Sequence, residues 1–141
     1  MDVLIVANET AAGEHLRAEV LRLTELGAKR FTLLVPATKP RGTLTWTEGS
    51  AHALAEERMK LAVAALREMG VDVDGEVGVE RPMDAVLDIL RTRSFDEIVV
   101  STLPQGVSRW LRVDLPARVA RASGLPVHHI IGTGRRQAVS A

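Results

Sequence analysis

A chain of 141 residues, 46% of them apolar, can bury one ordinary core, and with no cysteine it does so without disulfides or cysteine-held metal. Eighteen basic residues balance eighteen acidic ones, so no overall charge draws the chain to nucleic acid or to an anionic membrane. Aromatic residues make up 3%, none of them tyrosine, which leaves little for base stacking, and no apolar run approaches the roughly 20 residues that span a bilayer.

Val3 to Ala7 is a continuous apolar run closed by Asn8, the pattern of a strand covered by helices on both faces. Thr10 is placed to cap the next helix, with Gly13 and Glu14 close behind. Leu16, Val20 and Leu23 then recur at helical spacing, and Gly27 stops that helix. Phe31 to Val35 is a second buried strand, ended by Pro36. Ala37 to Gly49 reads as the longest loop, with three threonines around Trp46, and loops of that length in compact domains are often functional.

Ser50 is the expected cap of a helix reaching Met69, with Leu54, Leu61, Ala65 and Met69 inside and Ala62 and Leu66 beside them. Val71 to Val79 alternates valine with polar residues, as an edge strand with one buried face does; Asp72, Asp74 and Glu76 are then its solvated side. Arg81-Pro82 opens a helix whose inner stripe is Val86, Ile89 and Leu90. Glu97 to Ser101 is a strand, Thr102 to Val113 an irregular polar connection, Asp114 to Ser123 a helix, and Pro126 to Ile131 the last strand. Gly132 to Ala141 is expected to be a flexible tail on a single domain spanning residues 1–131.

Strand and helix alternate through five strands and four helices, which predicts a single-domain α/β fold, an open Rossmann-like five-stranded parallel sheet with helices on both faces. Ligands of such sheets lie beyond the carboxyl ends of the strands. That places Asn8, the Ala37–Gly49 loop and Thr102–Val113 at the expected site. Within it, Ser108, Arg109 and Arg112 offer a hydroxyl and two guanidiniums to an anion. Trp110 is either a stacking surface or, with Val107, Leu111 and Val113, the inner side of an amphipathic turn. His128 and His129 adjoin in a strand and point to opposite faces, and His15 and His52 stand alone on helices, so no metal site is expected. Ser101 has no nucleophile-elbow context and no histidine near it in sequence. The N-terminus carries no signal-peptide pattern, and the expectation is a cytoplasmic protein with no nucleic-acid or membrane partner.

The element order resembles the universal stress protein family. The resemblance rests on VLIVANET at the start, on GVDVDGEVGVERPMDAVLDILRTRSFDEIVVS, and on the closing RVARASGLPV. It implies a five-stranded parallel sheet, of the class shared with adenine nucleotide alpha hydrolases. It also implies a homodimer paired through the last strand, here Val127–Ile131. Members that bind ATP resemble one another in a motif G-x2-G-x9-G-[ST] after the fourth strand. On this chain Ser101, Pro104 and Asp114 (or Val113) stand at the three glycine positions, and Gly106 lies out of register. Pro104 lacks an amide donor, and Asp114 at the last helix is expected to cap it and repel a triphosphate. Asn8 stands where binders carry an aspartate that contacts the nucleoside. The resemblance thus implies a divergent member without the glycine motif: a non-enzymatic stress-associated or regulatory dimer, open to a protein partner, with no cofactor expected. The other reading is a nucleotide (ATP or AMP) or other small-molecule binder with an altered cleft using Asn8, Val35, Ser101, Thr102, Gly106, Ser108 and Arg109.

Overall fold

Apolar runs with no polar face form strands between two helical layers, and the computed structural model, which describes residues 1–39, 47–104, 108–132 and 136–139, is built this way. One six-stranded sheet has the order β3-β2-β1-β4-β5-β6. β1 (Asp2–Val6), β2 (Arg30–Pro36), β3 (Val73–Gly78), β4 (Glu97–Thr102) and β5 (Val127–Ile131) are mutually parallel. The predicted five-stranded parallel sheet is therefore present.

The path of the chain decides which face each helix covers. From β1 through β2 to β3 the chain moves outward, and α1 (Glu14–Glu25) and α2 (Glu48–Glu68) lie on one face with Val3, Ile5, Leu33 and Val99. From β3 it crosses back to β4 and then β5, and α3 (Pro82–Thr92), α4 (Arg109–Arg112) and α5 (Leu115–Ser123) lie on the other face with Leu4, Val6, Leu34 and Val100. Successive strand residues point to opposite faces, so each central strand feeds both half-cores. The reversal falls between β1 and β4, which opens a crevice at their carboxyl ends.

Three expectations are corrected. The inner face of α2 is Ala51, Ala55, Ala62, Val63 and Leu66, whereas Leu61 is 62% exposed and Leu54, Ala65 and Met69 are partly buried. Small alanines let the helix lie close to the sheet, and Gly75 in β3 makes room for Met59, since a Cβ there would overlap it. The N-cap of α2 is Thr47, whose hydroxyl accepts the Ser50 amide at 3.1 Å. The expected tail contains a strand: β6 (Arg136–Val139) pairs antiparallel with β5. Both edges of β5 are thereby occupied within one chain, so a dimer through Val127–Ile131 requires β6 to leave.

At the other edge β3 behaves as expected. Val73 is buried, and Asp72, Asp74 and Glu76 are exposed. Asp74 is nonetheless engaged, accepting from Thr32 at 2.7 Å and from Arg93 at 3.0 Å. Among the described residues no helix is long and apolar enough to cross a membrane.

Candidate functional site

The crevice at the β1–β4 switch point is a cleft of about 400 Å³, counting the open solvent at its mouth. As a cavity it holds only about 40 Å³, below the roughly 300–1,000 Å³ of drug-sized ligand pockets, so it is a shallow crevice open to solvent. Asn8, Glu9 and Thr10 approach it from the turn after β1, Thr38 and Lys39 from beyond β2, and Ser101 and Thr102 from the end of β4. Leu103, Ser108, Arg109 and Trp110 form the wall contributed by the β4–α5 connection.

The floor is made of hydroxyls tied into the protein. Ser101 Oγ lies 2.6 Å from Thr10 Oγ1 and 3.1 Å from His15 Nε2. Thr10 was expected to cap α1; the cap is Gly13, which makes no side-chain bond, and Thr10 turns to β4 instead. His15, which stands alone in sequence, is brought to Ser101 because the amino end of α1 abuts the end of β4. Burial holds its pKa below the ordinary histidine value. Thr102, the next residue, faces the opposite layer and sits 2.7 Å from Nε2 of the buried His129, whose pKa burial also lowers.

Asn8 is buried, and both ends of its amide are used. Its Nδ2 donates to the Pro36 carbonyl at 2.7 Å, and its Oδ1 accepts from the Arg58 guanidinium. Arg58 comes from α2 and carries no sequence signal that would have assigned it here. Asn8 therefore ties the ends of β1 and β2 to α2.

In the wall, Ser108 caps the short α4 by accepting the Leu111 amide, and its own amide bonds the Pro104 carbonyl at 3.1 Å. Trp110 is 8% exposed, packed in the α5-side core while lining the cleft, so it stands on the inner side of the turn and at the site together. Val113, expected inside, is exposed, and Arg109 is exposed at the rim. Asp114 stands at the N-cap position of α5, as expected, and its carbonyl accepts the Arg118 amide at 3.1 Å, but its carboxylate does not cap the helix. It adopts φ 53°, ψ 47° and makes no side-chain cap bond. An N-cap side chain ordinarily reaches the helix amides from extended backbone, which Asp114 lacks, and Pro116 at the second helical position has no amide to receive its carboxylate.

Of the residues predicted for the site, Asn8, Ser101, Thr102, Ser108 and Arg109 are brought together. Val35 is not: it is fully buried in the α1–α2 core, since its position in β2 points it into that layer. Gly106 and residues 40–46, including Trp46, lie outside the described residues. No group of three or more metal-ligating side chains occurs among the described residues. A second hollow, at the amino ends of the strands near Arg30, Thr32 and Arg93, offers less to a ligand because Arg93 is already bonded to Asp74 and Thr32.

A universal stress protein family protein from Arabidopsis thaliana, solved with AMP bound, is similar in structure, with a TM-score of 0.61 over 93% of this chain and 91% of that chain, at 13% sequence identity. The fold is that of a universal stress protein. No protein-family model matches the sequence, and no curated protein matches it significantly. Within this universal stress protein fold, the connection after β4 is the one on which the resemblance places the glycine motif. In this chain it starts at Ser101, whose hydroxyl is engaged by Thr10, and includes Pro104, whose carbonyl accepts the Ser108 amide.

Proposed function

We propose that the protein is a non-enzymatic regulatory ligand binder whose strand-end cleft takes a small anionic ligand of the nucleoside monophosphate class, and that it does not hold a triphosphate in the family's usual way. The observation that carries this reading is the hydroxyl-floored cleft at the β1–β4 switch point, with Arg109 at its rim and Trp110 in its wall. The AMP in the structurally similar Arabidopsis protein supports the ligand class. Pro104 and Ser101 argue against a glycine cradle, because the one lacks a donor amide and the other places a side chain where close backbone approach is needed.

The test is thermal shift and isothermal titration with AMP, ADP and ATP, with and without magnesium. AMP at a hundredfold its dissociation constant is expected to stabilise the fold by about 2.7 kcal/mol, with ATP no tighter than AMP. ATP binding far more tightly than AMP overturns the altered-mode reading. No shift with any nucleotide at millimolar concentration overturns the ligand class and favours a protein partner.

We infer further that the chain forms a homodimer. With β5 paired on both sides, the outer edge of β6 is the strand edge that a second copy would meet. Light scattering on the eluted protein at one protomer's mass, across micromolar concentrations, sinks that inference.

A further inference from the structure

We propose that Thr10, Ser101 and His15 form a specificity-determining relay under the cleft, in which the protonation of His15 sets whether Thr10 offers the ligand a hydrogen-bond acceptor or a donor. The proposal rests on the reading of the cleft as an anion-binding site.

The argument is a count of protons. Three polar atoms stand in line, Thr10 Oγ1 at 2.6 Å from Ser101 Oγ and Ser101 Oγ at 3.1 Å from His15 Nε2. Each hydroxyl has one proton to give. Ser101 is 1% exposed and its partners are Thr10 and His15, so a proton pointed elsewhere would be buried without a partner. With a bare Nε2, Ser101 donates to His15, Thr10 must donate to Ser101, and Thr10 shows the cleft only lone pairs. With a charged imidazole, Nε2–H donates to Ser101, Ser101 donates to Thr10, and the Thr10 proton is released toward the cleft. A neutral ring permits either direction through its two tautomers; a charged ring permits only the second.

The surroundings make this a property of the ligand complex. On α1 the neighbouring charges are Glu14 and Arg17, and Arg17 is turned back onto the Ala12 carbonyl at 2.9 Å. Glu9 lies on the preceding turn. From the sheet, β4 presents Ser101 and β5 presents Ile130, with His128 farther down bonded to Glu97. Lys39 and Arg109 are the cations of the cleft itself. Burial favours the neutral ring in the free protein. An anion in the cleft favours the charged ring and the donor direction, so its binding takes up a proton.

Gly13 supplies a variant that breaks the relay without removing a titratable group. A Cβ there would lie 2.6 Å from Cε1 and 2.7 Å from Nδ1 of His15, so Gly13→Ala pushes the ring off Ser101. AMP titrations from pH 8 to 5.5 on wild type, His15→Gln and Gly13→Ala cancel the nucleotide's own ionisation when compared. Wild type is expected to gain about tenfold in affinity over His15→Gln across this range, the equivalent of one pKa unit, and Gly13→Ala to lose that gain. Three parallel profiles overturn the relay. If AMP binds none of them, the ligand reading has failed, and the relay is judged by nitrogen NMR of His15. Ser101→Ala is expected to shift the tautomer balance and titration midpoint of the ring; unchanged values overturn it.

Discussion

The guanidinium of Arg58, halfway along α2, is hydrogen-bonded to Oδ1 of Asn8, which lies two residues beyond the end of β1 and rims the cleft. The same amide donates to Pro36 at the end of β2. Arg58→Ala leaves a buried carbonyl oxygen without a donor, and the expected cost is about 1–3 kcal/mol. Urea unfolding of the two proteins measures it. Arg58→Lys is expected to recover only part of the loss, because an ammonium does not reproduce the geometry of the planar guanidinium.

Asp114 is the one described non-glycine residue with positive φ. Its carboxylate makes no cap bond, so Asp114→Asn is expected to change stability by less than about 0.5 kcal/mol. Asp114→Val should cost about 1–2 kcal/mol, because a β-branched residue resists the left-handed conformation. Equal and large effects of both substitutions would mean that the charge, and not the backbone, is what matters at this position.

Gly78 in β3 lies against α3. A Cβ there would stand 2.6 Å from Ala85 Cβ and 3.5 Å from its Cα, and neither is a flexible chain end that can move aside. Gly78→Ala is therefore expected to overpack the β3–α3 contact and to destabilise by about 1–3 kcal/mol. A melting temperature equal to that of wild type contradicts it.

His129 is buried beside Thr102, and burial lowers its pKa in the folded state, as it does for His15. In the unfolded chain both rings titrate near 6.5. Below that value the unfolded chain binds more protons than the folded one, so stability is full above about pH 6.5 and falls as pH drops through the window down to the folded values. Urea unfolding between pH 7.5 and 5 should show this acid limb, and His129→Phe should shrink it. A stability that is flat across the window would show that neither ring resists protonation.

The sheet was legible because its strands are short apolar runs bounded by Asn8, Pro36 and similar stops, and the helices of the β1–α1–β2 unit because Leu16, Val20 and Leu23 repeat at helical spacing. What was not legible depends on close packing or on distance along the chain. Leu61 reads as an inner residue by hydropathy, yet α2 meets the sheet through alanines, for which the pattern gives little weight. β6 has two adjacent apolar residues, Ala138 and Val139, and no alternation, so pairing with β5, and not periodicity, makes it a strand. The rim residues Asn8, Ser101, Thr102, Ser108 and Arg109 were found because they end or follow strands. His15 and Arg58 were missed because their partners are 86 and 50 residues away, across a crevice that exists only after folding.

Ser101 and Thr102 are consecutive, so the pleat sends one hydroxyl toward α1 and the other toward His129, yet both border the same cleft. A molecule lodged there would press on both half-cores through adjacent links of one strand. Its residence would be registered as slower amide exchange in α1 and in β5 together. The end of β4 thus acts as a common keystone, where two layers that pack separately acquire a single mechanical response.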